Sequence, residues 1–204
     1  MSHAPQKVYL ASKSPRRREL LRQADIDFEL LLLREDVARG ADVTEDALPN
    51  ESPEAYVARV TQAKALAAWH VVLARHLPAH PVLAADTTVV VDGQILGKPV
   101  DKDDAKRILT LLSGRTHQVL TNIAIKYQQQ FFQCTQTSEV RFATLSDSDI
   151  EAYCNTQEPY DKAGAYGIQG TAARFISHIS GSYTGIMGLP IFETVELLGR
   201  IKHS

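Results

Sequence analysis

Cysteine is scarce in this sequence, with only Cys134 and Cys154 in 204 residues. That excludes a disulfide framework and points to a reducing compartment, so a cytoplasmic location is expected. No apolar run approaches the ~20 residues of a membrane-spanning helix. The first charges are not followed by the apolar core of a secretory signal. An excess of one charge is missing too: 22 basic residues against 24 acidic ones leave a net charge of −2. Nothing global therefore marks a nucleic-acid or membrane-surface protein, and neither partner is expected. Neither GxxxxGK[ST] nor GxGxxG occurs, which removes the P-loop and Rossmann nucleotide sites. His70, His76 and His80 approach ligand spacing, but Leu77–Pro78 breaks the helix between the last two, so zinc is not expected.

What is present is an ordinary globular pattern, 44% hydrophobic and 23% charged. It suffices for one well-buried core, and a single domain over residues 1–204 is expected, with room for two close lobes. Residues 7–11, KVYLA, read as a short strand feeding a helix from Ser14 to about Ala24. After FELLLL, residues 34–53 are polar and irregular. Ser52–Pro53–Glu54 open a helix to about His76, with Tyr56, Val60, Ala63, Ala67 and Val71 at helical spacing. PVLAADTTVVV reads as a strand and Asp92–Gly93 as a hairpin turn. Asp101 caps a helix with Ala105, Ile108, Leu109 and Leu112 on one face, and Gly114 stops it. Two long strands, THQVLTNIAIKY and FFQCTQTSEVRFATL, meet through Gln128–Gln130, and Ser146–Asp147 start another short helix. A Gly-rich loop at 164–170, a strand over Arg174–Ile179 and a helix after Gly188–Leu189–Pro190 complete the chain. Helices alternate with strands but hairpins intervene, so the expected class is α/β with a mixed twisted sheet and flanking helices.

Three stretches carry chemistry. In ASKSPRRRELL, Arg16, Arg17 and Arg18 stand in the first turn of a helix, whose partial positive charge disfavours cations. Either they fan into solvent, or an anion offsets them where free N–H groups already point. On the second reading Ser12, Arg16 and Arg17 are its contacts and Arg18 is solvated. Guanidinium groups take oxygens in pairs, which suits a polyphosphate. In AADTT, Asp86 interrupts an apolar strand, sharing a face with Thr88 and Val90 while Thr87 faces the other way. A carboxylate there is either a core group capping a loop or a general base or metal ligand opening on a cleft. Lys64, Lys98 and Lys162 each read singly as solvated lysines, and jointly as further partners of a polyphosphate.

Five strings, LASKSPRRRELL, AADTTVVVDGQILGKPVDKDDA, LSGRTHQVLT, EPYDKAGAYGIQG and ISGSYTGIMGLPIFET, closely resemble the Maf family of nucleotide pyrophosphatases, in that family's order. The DKAGAYGIQG form is similar to the branch acting on dTTP and UTP, rather than the branch acting on a methylated GTP. The resemblance implies hydrolysis of a nucleoside triphosphate to the monophosphate and pyrophosphate, with Mg²⁺ or Mn²⁺. It also implies a fold like that of the inosine-triphosphate pyrophosphatases, two lobes around a central cleft, and homodimers. By matching position it implies Asp86 as proton acceptor and Ser12, Arg16 and Arg17 on a phosphate-binding turn. Lys64 and Lys98 match phosphate lysines, and Arg16 or Arg17, Thr87 and Gln169 match positions of substrate choice. Glu45, in Val43–Thr44–Glu45, matches the metal-facing acid that would act with Asp86, with Asp42 and Asp46 as alternatives. Lys13 stands where the family often has Gly. An association of the family with cell-division arrest leaves a second expectation, a nucleotide sensor or division regulator whose hydrolysis is incidental.

Overall fold

The structure, a computed structural model, describes residues 7–33 and 43–202. The N-terminal unit is built by two crossovers. Strand β1 (Val8–Leu10) leads through helix α1 (Pro15–Gln23) to strand β2 (Phe28–Leu30), which lies parallel to it. The long helix α2 (Pro53–Ala74) then carries the chain to β3 (Val82–Val91), parallel to β1 on its other side. From there the connections are antiparallel. β3 pairs with β4 (Gln94–Leu96) and, after helix α3 (Lys102–Leu112), with β5 (Thr116–Tyr127). β6 (Gln130–Phe142) pairs with β5, and β7 (Ile176–Ser180) with β6. The order is β2-β1-β3-β5-β6-β7, a mixed sheet with helices packed against it, as expected. Helix α4 (Asp147–Cys154) precedes β7, and α5 (Tyr183–Met187) and α6 (Ile191–Leu198) end the chain. Among the described residues, no helix is long and apolar enough to cross a membrane.

Local chemistry places the boundaries. Ser14, Ser52 and Asp101 each accept the backbone N–H three residues on, and Ser146 forms a full capping box with Asp149. Asp92 (φ 51°) and Gly93 (φ 74°) supply the two left-handed residues of the β3–β4 hairpin. Helix α2 stops before the expected His76, which adopts φ 50°. The His76 and Leu77 N–H groups donate back to Leu73 and Val72, closing a Schellman motif. Its buried face is also rotated from the one expected, being Val57, Val60, Thr61, Ala65, Ala68, Trp69 and Val72. Small residues at 61, 65 and 68 let the helix lie close on the sheet, and Lys64 reaches Asp86 on β3 while Tyr56 packs against Val90 and Leu120. The last strand begins at Ile176 instead of Arg174 because Thr171–Phe175 is held as a short 3₁₀ turn.

Two apolar cores meet along β3. Val82–Ala85 pack with Leu20, Leu21, Trp69 and Ile123, whereas Val89 and Val91 pack with Ile108, Leu112, Phe142 and Tyr153. Between these halves only Asp86 and Thr87 of the ten strand residues escape full burial. This seam is where a cleft opens.

Candidate active site

The cleft encloses about 540 Å³, within the usual size of a small-molecule site, and both lobes line it. On one wall, the turn after β1 is organised by Ser12, whose hydroxyl accepts from the Ser14 N–H at 3.2 Å. Arg17 donates from Nη1 to that hydroxyl at 3.0 Å, from Nε to the Gly188 carbonyl at 2.7 Å and from Nη2 to Thr87 Oγ1 at 3.2 Å. Burial lowers its pKa from the ordinary value, and the charges of Asp86 and Glu45 oppose that shift. Three of its five N–H groups thus tie α1 to the Ser12 turn, to β3 and to the end of α5, and two are uncommitted among the described residues. Arg16 crosses the cleft to Asp161 at 3.3 Å. Arg18 departs from expectation: it is half-buried, and its Nε is enclosed without a hydrogen-bond partner among the described residues. It lies one turn before buried Leu21, so its stem follows the inward face of α1.

The opposite wall gathers the acids. Lys64 Nζ lies 2.6 Å from Asp86 Oδ1 and 2.7 Å from Glu45 Oε1, so one ammonium holds two carboxylates. Glu45 is fixed from behind, because Tyr56 OH donates to its carbonyl at 2.9 Å and Arg59 Nη2 to that of Asp46 at 2.9 Å. Burial pushes the Glu45 carboxyl up, but Lys64, Lys98 and Arg17 together outweigh it and hold the group below its ordinary value. Burial, with Asp86 and Glu45 beside it, pushes the Tyr56 hydroxyl up to about 12. Of the alternative acids, Asp46 is exposed and outside the cleft lining, and Asp42 lies outside the described residues. Lys98 lines the cleft from the loop after β4, exposed and without an ion-pair partner among the described residues.

The third wall is the segment from Glu158 to Gly170. Lys162 Nζ donates to the Glu158 carbonyl at 2.6 Å and pairs with Asp161, so it closes the segment on itself while facing the cleft. Gly164 is required here: at φ 72° it packs on β3 so closely that a Cβ would lie 2.7 Å from Val89 Cγ2. Gln169 faces the cleft with its amide exposed. Thr87 reaches the cleft from β3, and its hydroxyl also meets Thr121 Oγ1 at 2.9 Å. Ser12, Arg16, Arg17, Glu45, Lys64, Asp86, Thr87, Lys98, Lys162 and Gln169 therefore border one cavity.

Other residues shape the cleft that no local pattern announces. Thr121 donates to the Gly185 carbonyl at 2.7 Å, which leaves its oxygen to accept from Thr87. Tyr166 lines the cavity, its hydroxyl paired with buried His117 Nε2 at 2.7 Å. Burial lowers the His117 pKa to about 4. The Glu158 carboxylate accepts from Thr171 N at 2.8 Å, Ala172 N at 3.3 Å and Tyr153 OH at 3.0 Å. Burial raises this carboxyl, and those donors more than compensate, so it sits below the ordinary range.

The donor set fits a hard divalent cation. Among the described residues no group of three or more His, Cys, Asp or Glu converges on one point. Asp86 and Glu45 nevertheless converge on one cation already, and magnesium is typically held by one or two carboxylates with substrate oxygens and water.

Cations on the first and third walls and a convergent carboxylate pair on the wall between them define a class: α/β proteins equipped to compensate a polyphosphate and cut it. The chain belongs to the family described as Maf-like protein, which matches residues 7–201. A relative from Dechloromonas aromatica named "dTTP/UTP pyrophosphatase" is 50% identical over 96% of this chain and 97% of its own. Relatives of the same name from Aromatoleum aromaticum (55%) and Nitrosomonas europaea (53%) each cover 94% of this chain, and 94% and 92% of their own. Solved structures of the Staphylococcus aureus Ham1 protein and a HAM1 protein from Coxiella burnetii align at a TM-score of 0.43, at 16% and 14% identity. These two alignments cover 68% and 69% of this chain and 72% and 74% of theirs, a likeness too slight to argue from.

Proposed function

We propose that this protein hydrolyses dTTP and UTP, or modified pyrimidine triphosphates, to the monophosphate and pyrophosphate. The observation that carries the reading is the Asp86–Lys64–Glu45 cluster sharing one cavity with Arg16, Arg17, Lys98 and Lys162. The names of relatives that are half identical over nearly the whole chain support the choice of substrate.

In this mechanism the triphosphate lies along the cationic wall. The free N–H groups of Arg17, with Arg16, Lys98 and Lys162, compensate charge that grows on the leaving pyrophosphate. Asp86 takes a proton from a water aligned on the α-phosphorus. The water oxygen bonds to that phosphorus, and the bond from it to the α–β bridging oxygen breaks. Proton transfer of this kind contributes roughly 10²–10⁴-fold, and positioning with electrostatics the rest. Asp86 and Glu45 would hold a Mg²⁺ or Mn²⁺ ion, which when bound supplies charge compensation at the phosphoryl oxygens. The Gln169 amide offers an acceptor beside a donor, matching the N3–H and O4 edge of uracil and thymine, although the flipped amide matches cytosine. Cys134 and Cys154 are both free thiols, consistent with action in the cytoplasm.

The test is a panel of dTTP, UTP, CTP, GTP and ATP with Mg²⁺, detecting pyrophosphate and inorganic phosphate separately. Pyrophosphate released first from dTTP and UTP is expected. Tight binding without turnover would overturn the reading.

A further inference from the structure

Lys64 places its ammonium between the two carboxylates that would hold a divalent ion. Its ammonium is within hydrogen-bond reach of both acids, and its side chain is 15% exposed and that of Asp86 14%. Two of its three N–H donors are committed to the carboxylates. A divalent cation drawing on the same oxygens would lie against the ammonium, and two positive charges at that separation repel strongly in a partly buried site. On Asp86 Oδ1 and Glu45 Oε1 the two cations exclude one another. Tyr56 and Arg59 hold the backbone of Glu45 and Asp46 to α2, while the Glu45 side chain itself is 50% exposed. The Lys64 ammonium ends a flexible four-carbon stem, which can carry it off the pair.

We propose that Lys64 is a resident counter-ion that competes with the divalent metal for Asp86 and Glu45, and that it gives them up only when a polyphosphate offers its ammonium another anion. This rests on the proposed reading of the cleft. It assigns Lys64 a positioning role besides phosphate contact: the acids stay neutralised and preorganised until metal and substrate arrive together. Metal binding without nucleotide is then weak by construction.

The experiment titrates Mn²⁺ into the protein without nucleotide, reading free Mn²⁺ by electron paramagnetic resonance. Lys64→Met is expected to bind Mn²⁺ at least tenfold more tightly than wild type, a difference of about 1.4 kcal/mol. Lys64→Arg, which keeps the cation, is expected to stay weak. Adding Asp86→Asn to Lys64→Met is expected to abolish the gain. Mn²⁺ should also raise the melting temperature of Lys64→Met more than that of wild type, which registers binding even where the variant is less stable. Equal Mn²⁺ affinity in wild type and Lys64→Met overturns the proposal, as does tight binding that survives Asp86→Asn. Turnover of dTTP by wild type is measured alongside. If it is present without the Mn²⁺ contrast, the role of Lys64 falls and the pyrophosphatase reading stands.

Discussion

Replacing Glu158 by Gln tests how the cleft positions Gln169. The carboxylate is the shared acceptor for Thr171 N, Ala172 N and Tyr153 OH, at 2.8, 3.3 and 3.0 Å. An amide keeps one acceptor oxygen and turns an NH₂ group toward donors, so at least one of these bonds becomes a donor–donor clash. Hydrogen bonds to a charged group contribute ~1.5–3 kcal/mol each, which puts the loss at about 2–3 kcal/mol. For a chain of this size that corresponds to roughly 4–12 °C in melting temperature. Gln169 stands two residues before Thr171, so the same change should blunt the preference for UTP over ATP in kcat/KM. Gly170→Ala attacks the contact from the other side, since its Cβ would lie 2.2 Å from Glu158 Oε1. The two variants should shift melting temperature and preference in the same direction. Unchanged melting temperature and unchanged preference in both would refute the bracing role. A lower melting temperature with preference intact would sever the link to Gln169.

Arg17→Lys can replace at most part of a guanidinium bound to Ser12, Thr87 and Gly188, and urea unfolding should show a loss of about 2–4 kcal/mol. An unchanged unfolding midpoint would contradict that. His117, 2% exposed, is held neutral by burial with its pKa lowered from 6.5 to about 4. The unfolded chain therefore binds the proton first as pH falls, and stability present above pH 6.5 drains away down to pH 4. At about 1.4 kcal/mol per unit this is on the order of 3 kcal/mol, and His117→Gln should flatten that part of the stability profile. A profile identical to wild type would assign the acid sensitivity elsewhere.

Much of this arrangement is written in short-range patterns. Ser14–Pro15, Ser52–Pro53, Asp92–Gly93 and Asp101 each act within a few residues, and all four stand where the sequence puts them. Asp86 in an apolar strand and arginines in a helix first turn conflict with local preference, and both border the cleft. What escaped sequence reasoning depends on distant partners. The inward face of α2 follows from how closely the sheet admits residues 61, 65 and 68. The three-residue strand β2 has no period long enough to announce it, and exists because β1 offers it a parallel edge. Arg18 reads as solvated by composition and is half-buried by its place one turn before Leu21. Glu158 and Thr121 matter through partners on other elements, Thr171, Ala172 and Gly185, which only the folded chain brings near.

The most direct test of the account is Asp86→Asn, assayed for pyrophosphate release from dTTP and, separately, for equilibrium binding of dTTP with the melting temperature recorded. Asn keeps the volume and one acceptor for Lys64 but cannot take a proton. The predicted result is turnover slowed by a factor of about 10² or more, the size expected for lost proton transfer, with binding and folding kept. Turnover within a fewfold of wild type, or loss of binding and folding together, would make Asp86 a structural carboxylate and contradict the mechanism.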